Sequence, residues 1–124
     1  MIQAEQTEEA LREASFLSVV NGVLAEDVVD GFLAVQDAGT GFMCIQRSAM
    51  ERMIEAHPET AYRSDHSAHL NKPRYALFDC AIVDGRYLSE DYLFCHRWRA
   101  LGGTVQADVA SARLGHMGSY IYGK

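Results

Sequence analysis

The chain has 124 residues, of which 48% are hydrophobic and 23% are charged, a composition typical of one globular domain. Its 17 acidic and 11 basic residues give a net charge of −6, so binding of nucleic acid through phosphate contacts is not expected. No apolar stretch is long enough to cross a bilayer, and the first residues lack a signal-peptide pattern. We therefore expect a cytoplasmic protein with no membrane span.

The first third of the chain predicts a polar segment followed by β-strands. We expect a single domain that covers 1–124, in which the mostly polar residues 1–15 form a helix or a tail. Strands are expected within 16–24, 31–36 and 41–46. An Asn-Gly dipeptide favours a tight turn inside the first of these, and the last is apolar on both faces, which predicts burial on both sides of a sheet.

Two helices are expected in the rest of the chain. The first covers 49–57, with Ser48 as its cap and a proline directly after its end. The second begins after Ser89, whose hydroxyl can cap the first turn, and stops at a Gly-Gly pair at 102–103. Between them, 59–74 predicts a polar loop without clear periodicity.

The second predicted helix carries the strongest site candidate. Glu90 and Asp91 place negative charge at the positive end of the helix dipole. Asp91 also lies at helical spacing from Phe94 or Cys95, and further on from Trp98, so it opens the face that the apolar residues bury. A carboxylate at the edge of a buried face is a candidate functional group.

Further strands are expected on either side of this helix. Residues 75–83 predict one strand, which a tight turn at Asp84-Gly85 ends, and two short strands follow at 104–108 and 112–116. Strands that alternate with helices predict an α/β fold, of which this chain contains a three-layer arrangement or a part of one.

The three cysteines are widely spaced, and each lies among apolar residues. This pattern predicts buried, reduced thiols rather than a disulfide framework or a zinc site. The cysteines are Cys44, Cys80 and Cys95.

The order of these features resembles the C-terminal half of the GT-A glycosyltransferases, particularly the family-two-like enzymes, over about residues 19–122. The features, in chain order, are a glycine-containing segment at 39–45, an arginine and a helix from 47, a Ser-Glu-Asp sequence at 89–91, an Arg-Trp-Arg segment leading to Gly-Gly at 97–103, and a late histidine at 116. The resemblance implies an α/β fold with a partial GT-A-like mixed sheet flanked by helices, in which 16–124 is the GT-A-like half.

The resemblance also implies an activity. The expected function is transfer of a sugar from a nucleotide-sugar donor to a glycan or other hydroxyl acceptor, with Asp91 as the base and Glu90 as its companion. It implies that His116 is a ligand of Mn²⁺ or Mg²⁺. The substrate-binding residues implied by the resemblance are Asp37, Gly39, Thr40, Gly41, Arg97 and Trp98.

The sequence departs from the family in one large respect. GT-A enzymes begin with a nucleotide-binding half that ends in an Asp-x-Asp motif, and this chain contains neither. We therefore expect a truncated or split form, which functions as a homo-oligomer or together with a missing N-terminal half.

Two alternatives remain at this point. The first is a non-catalytic binding or assembly module derived from the glycosyltransferase fold. The second is a small metal-dependent hydrolase that uses Asp65, His66, His69 and His116, since carboxylate and imidazole groups are common metal ligands.

Overall fold

The structure, a computed structural model, describes residues 20–24, 27–66 and 72–111. The predicted N-terminal helix or tail and the predicted strand at 112–116 lie outside these residues. The described part contains the following strands and helices in chain order: β1 (Val20–Val23), β2 (Phe32–Ala38), α1 (Arg47–Ala56), β3 (Ala61–Tyr62), β4 (Arg74–Tyr75), β5 (Ala81–Val83), β6 (Arg86–Leu88), α2 (Glu90–Ala100) and β7 (Val105–Asp108).

The largest sheet has three strands in the order β1-β2-β7, and both of its pairings are antiparallel. Two antiparallel pairs, β3 with β4 and β5 with β6, form separate small sheets. The predicted α/β class is thus confirmed in its coarse form, as small sheets combined with two helices. Neither helix of the described chain has the length and apolar content that a membrane span requires.

Helix α2 packs on the central strand β2, and it also contacts helix α1. The core cluster between the helices is formed by the buried side chains Met53, Leu77 and Phe94. Partly buried apolar side chains surround this cluster, among them Trp98 and Ile45. On the other side of α2, Val35 of β2 is fully buried, because alternate residues of this strand face the helix.

The end of α2 follows the sequence prediction. Gly102 has a positive φ of 85°, and its N–H donates to the carbonyl of Arg99, while the N–H of Gly103 donates to the carbonyl of Trp98. These two bonds form a Schellman motif, which satisfies carbonyls that the last helical turn leaves free. The predicted turn at Asp84-Gly85 is also confirmed, with both residues at positive φ between β5 and β6.

The predicted turn at residues 21–22 is wrong, because β1 continues through it. Asn21 pairs with Asp37 and Val23 pairs with Val35, on either side of Gly22. Gly22 does take a left-handed φ of 64°, and a Cβ atom there would lie 2.7 Å from the Cβ of Gln36. The glycine therefore allows the two strands to pack closely, and the chain does not reverse direction there.

The predicted strand at 41–46 is also wrong. Residues Thr40–Phe42 form one 3-10 turn, and the chain then runs to α1 without pairing to a described strand. Phe42 and Cys44 are exposed, so the apolar run is not buried on both sides. An apolar run without alternation does not by itself distinguish a buried strand from an extended segment that packs on a core.

Smaller corrections concern element boundaries and the cysteines. Helix α1 begins at Arg47 after Gln46, so Ser48 is not its cap. The predicted strand at 75–83 is divided, since only its two ends belong to β4 and β5. Of the three cysteines, Cys95 is buried as predicted, whereas the other two are exposed.

Replacement of Gly103 with alanine tests the packing at the end of α2. An added Cβ would lie 2.0 Å from Cε2 of Trp98, so the indole ring must move. We expect Gly103→Ala to lower the free energy of unfolding by about 1–3 kcal/mol, the usual cost of overpacking. Denaturant unfolding followed by the fluorescence of Trp98, the only tryptophan, measures this change directly.

The control is Gly41→Ala, since a Cβ at Gly41 meets no atom of the described chain within 4 Å. A loss of stability in Gly41→Ala as large as that in Gly103→Ala would contradict the packing argument.

Candidate functional site

A shallow groove of about 360 Å³ lies beside the start of α2. It brings together Thr40 and Glu90, two of the residues that the sequence predicted for the site, although they lie 50 positions apart in the chain. The residues that line it are Thr40, Met43, Ile45, Phe78 and Glu90.

The groove is built on the edge of the core. Ile45 packs against the core cluster, and the extended backbone at Met43 carries the chain from the 3-10 turn towards it. Phe78 stacks on the buried ring of Phe94, with the ring centroids 4.5 Å apart. The floor is therefore apolar and anchored to the interior, whereas Thr40 and Glu90 are exposed at the rim.

Asp91 is half-buried, directly follows Glu90 in the chain and is not among the residues that line the groove; its carboxylate is held by its own helix turn. Its Oδ1 accepts a hydrogen bond of 2.6 Å from the Ser89 hydroxyl and one of 2.9 Å from the backbone N–H of Tyr92. Ser89 occupies the N-cap position as predicted, but its side chain makes no capping bond to the backbone. The carboxylate of Asp91 thus satisfies a free N–H of the first turn in its place.

A polar cluster is enclosed between α2 and the sheet. Asp37 is 2% exposed; its Oδ2 accepts a bond of 3.2 Å from Asn21, and its Oδ1 lies 3.7 Å from Nη2 of Arg99. The thiol of Cys95 donates to the carbonyl of Ala38 at 3.7 Å. Asp37 was predicted to bind substrate, and in the structure its carboxylate faces these internal partners.

The same face of α2 carries Asp91, Cys95 and Arg99, since residues four apart lie above one another on a helix. Burial raises the pKa of the Cys95 thiol, and the negative charges of Asp37 and Asp91 act in the same direction. The thiol is therefore protonated at neutral pH, and it is a weak nucleophile there.

Arg97 and Trp98 lie further along α2 than the groove and are not among its lining residues. Trp98 packs against the core cluster, and its Nε1 donates to the carbonyl of Thr104 at 3.1 Å. The guanidinium of Arg52 stacks over its ring, 5.2 Å from the centroid. Nη1 of Arg97 is buried and has no hydrogen-bond partner among the residues that the structure describes.

The predicted glycines flank the rim of the groove. Gly39 precedes the 3-10 turn with an extended backbone, and Gly41 lies within the turn. A Cβ at Gly41 would meet open space, so the described chain makes no close approach there.

The predicted metal ligands are not assembled by the described part of the chain. His116 and His69 lie outside it, and Asp65 and His66 are exposed. Within 20–24, 27–66 and 72–111, no three His, Cys, Asp or Glu side chains lie close enough together to hold a metal ion. The Mn²⁺ or Mg²⁺ site therefore stays a prediction.

Sequence reasoning missed several residues of this region. Phe78 was assigned to a strand, and Asn21 to a turn. The sequence did contain a signal for the enclosed cluster. Asp37 is an acidic residue that follows the apolar run of β2, and Arg99 follows Asp91 by eight residues, so that both lie on the same face of α2. The groove itself had no such signal, since its residues come from distant segments.

Comparison with protein-family models, with curated proteins and with solved structures finds no match to this chain.

Thiol reactivity tests the arrangement around Cys95. The exposed Cys44 and Cys80 are expected to react rapidly with a disulfide reagent, whereas Cys95 reacts only after unfolding, because it is buried and its pKa is raised. Counting thiols in native buffer and in denaturant measures the difference. Rapid native reaction of all three would contradict the enclosed position of Cys95.

The ion pair between Asp37 and Arg99 gives a second test. Arg99→Met leaves the carboxylate of Asp37 enclosed without its cation, so we expect a loss of roughly 2–3 kcal/mol in the free energy of unfolding. Adding Asp37→Asn removes the charge and keeps an oxygen for Asn21, so the double variant is expected to recover at least half of the loss. Denaturant unfolding of the two single variants and the double variant completes the cycle. Simple additivity would show that the two side chains do not interact.

Proposed function

We propose that this chain is a glycosyltransferase-like catalytic and acceptor-binding portion, which transfers a sugar from a nucleotide-sugar donor to an acceptor hydroxyl. The observation that carries the proposal is the shared groove of Thr40 and Glu90, which joins the glycine-containing segment after β2 to the acidic start of α2. These are two of the segments whose order gave the resemblance to the C-terminal half of GT-A enzymes. A GT-A-like sheet and a cytoplasmic location are parts of the same proposal.

In this proposal Asp91 is the base. Its Oδ1 is oriented by Ser89 and Tyr92, so Oδ2 is the atom that takes up a proton. The acceptor hydroxyl gives its proton to Asp91 while its oxygen attacks the anomeric carbon. The bond from that carbon to the nucleoside diphosphate breaks, and the electron pair leaves with the diphosphate. Glu90, at the rim, contacts the acceptor.

The donor site of the proposal uses residues beyond the groove. The five residues that line the groove within the described ranges include no cationic side chain to bind a diphosphate. We therefore propose that a second copy of the chain or an N-terminal half supplies the donor site. The family's Mn²⁺ or Mg²⁺ would offset charge on the leaving group, but the described residues alone do not form its site, so no step above depends on it.

A non-catalytic binding or assembly module is the second candidate. The hairpin of β5 and β6 favours it, because Ile82 and Tyr87 lie directly opposite each other across the two strands. Their exposed fractions are 74% and 73%. Adjacent exposed apolar side chains on a hairpin are typical of surfaces that contact another protein.

Asp91→Asn separates the proposed base from the role of Asp91 in the helix. Asparagine keeps an Oδ1 that can accept both hydrogen bonds but cannot accept the proton, so we expect release of nucleoside diphosphate to fall by about 10²–10⁴-fold with little loss of stability. The assay uses uridine- and guanosine-diphosphate sugars, Mn²⁺ and hydroxyl acceptors, with thermal unfolding measured in parallel.

Glu55→Gln, which removes an exposed carboxylate of α1, is the control and is expected to retain full activity. Unchanged activity in Asp91→Asn would refute the assignment of Asp91 as the base. Calorimetry that shows no nucleotide-sugar binding by the wild-type chain, at any oligomeric state, would favour the non-catalytic module.

A further inference from the structure

The floor of the groove contains an aromatic ring with one open face. The rings of Phe78 and Phe94 are inclined by only 5° and are stacked. Phe94 is buried, whereas Phe78 is 41% exposed and lines the groove. One face of Phe78 is therefore covered by Phe94, and the other is available to a ligand.

Negative charge lies close to this open face. Glu90 is exposed and itself lines the groove. Among the lining residues in the described part of the chain, Glu90 is the only charged one.

We propose that the groove binds an organic ammonium ion, with its cationic head over Phe78 and its charge balanced by Glu90. The face of an aromatic ring attracts a cation through the ring quadrupole, and a nearby carboxylate adds direct attraction. The side chains of Met43 and Ile45 provide apolar surface for the carbon atoms around the charge. The hydroxyl of Thr40 can donate to or accept from a hydroxyl of the same ligand.

This inference rests on the proposed function in one respect, because it identifies the acceptor as an amino alcohol, a molecule with both an ammonium group and a hydroxyl. Binding itself needs no donor and no base. Failure of the transferase assay and failure of the binding experiment are therefore distinguishable.

The experiment compares choline with dimethylbutanol, its neutral carbon isostere, by titration of the full chain at constant ionic strength. Methyl NMR signals of Met43 and Ile45 report directly on the groove. We expect choline to shift these signals saturably with a millimolar Kd, and dimethylbutanol to bind roughly threefold to fivefold more weakly.

Two variants test the source of the difference. Glu90→Gln is expected to weaken choline binding by a similar factor and to leave dimethylbutanol binding unchanged. Glu55→Gln, which removes an exposed acid from α1, is expected to affect neither ligand. Equal affinities for the two ligands, no saturable shift with choline, or choline binding unchanged in Glu90→Gln would each overturn the inference.

Discussion

The packing of α2 against two different surfaces determines where the candidate site residues of this helix lie. Towards α1, the helix presents apolar side chains, and Phe94 joins the core cluster. Towards β2, it presents Cys95, which contacts the carbonyl of Ala38, and Arg99, which lies near the enclosed carboxylate of Asp37. Interdigitated apolar side chains on one side and the enclosed polar contacts on the other both restrict the rotation of the helix. Together they set how the start of α2 faces the groove.

Local signals in the sequence predicted the parts of the fold that depend on the backbone alone. The start of α2 after Ser89, its end at Gly102 and the hairpin turn at Asp84-Gly85 were all predicted, because caps and left-handed turns depend on the residues that form them. The coarse class of helices combined with small sheets was predicted for the same reason.

The failed predictions concern features that depend on contacts between residues far apart in the sequence. Residues 41–46 have the composition of a strand, yet Ile45 packs on the core cluster and no described strand pairs with the segment. The dipeptide Asn21-Gly22 is typical of a tight turn, yet pairing with β2 keeps β1 extended on both sides of Gly22. The groove is the extreme case, because Phe78 becomes part of it only through stacking on Phe94. No local pattern encodes that contact.

The two sides of the groove differ in how firmly the protein holds them. Phe78 and Ile45 are fixed by the core, and Glu90 is fixed by the first turn of a helix that is packed on both sides. The 3-10 turn opposite has weaker support, since Phe42 is 78% exposed and Gly41 faces open space. In the proposed complex, the ligand meets an apolar floor held by the core and a carboxylate whose backbone belongs to a packed helix, while the glycine-containing turn is the side that can adjust. The side that contains Phe78, Ile45 and Glu90 would then recognise the charge and the apolar surface of the ligand. The 3-10 turn would accommodate ligands of different size.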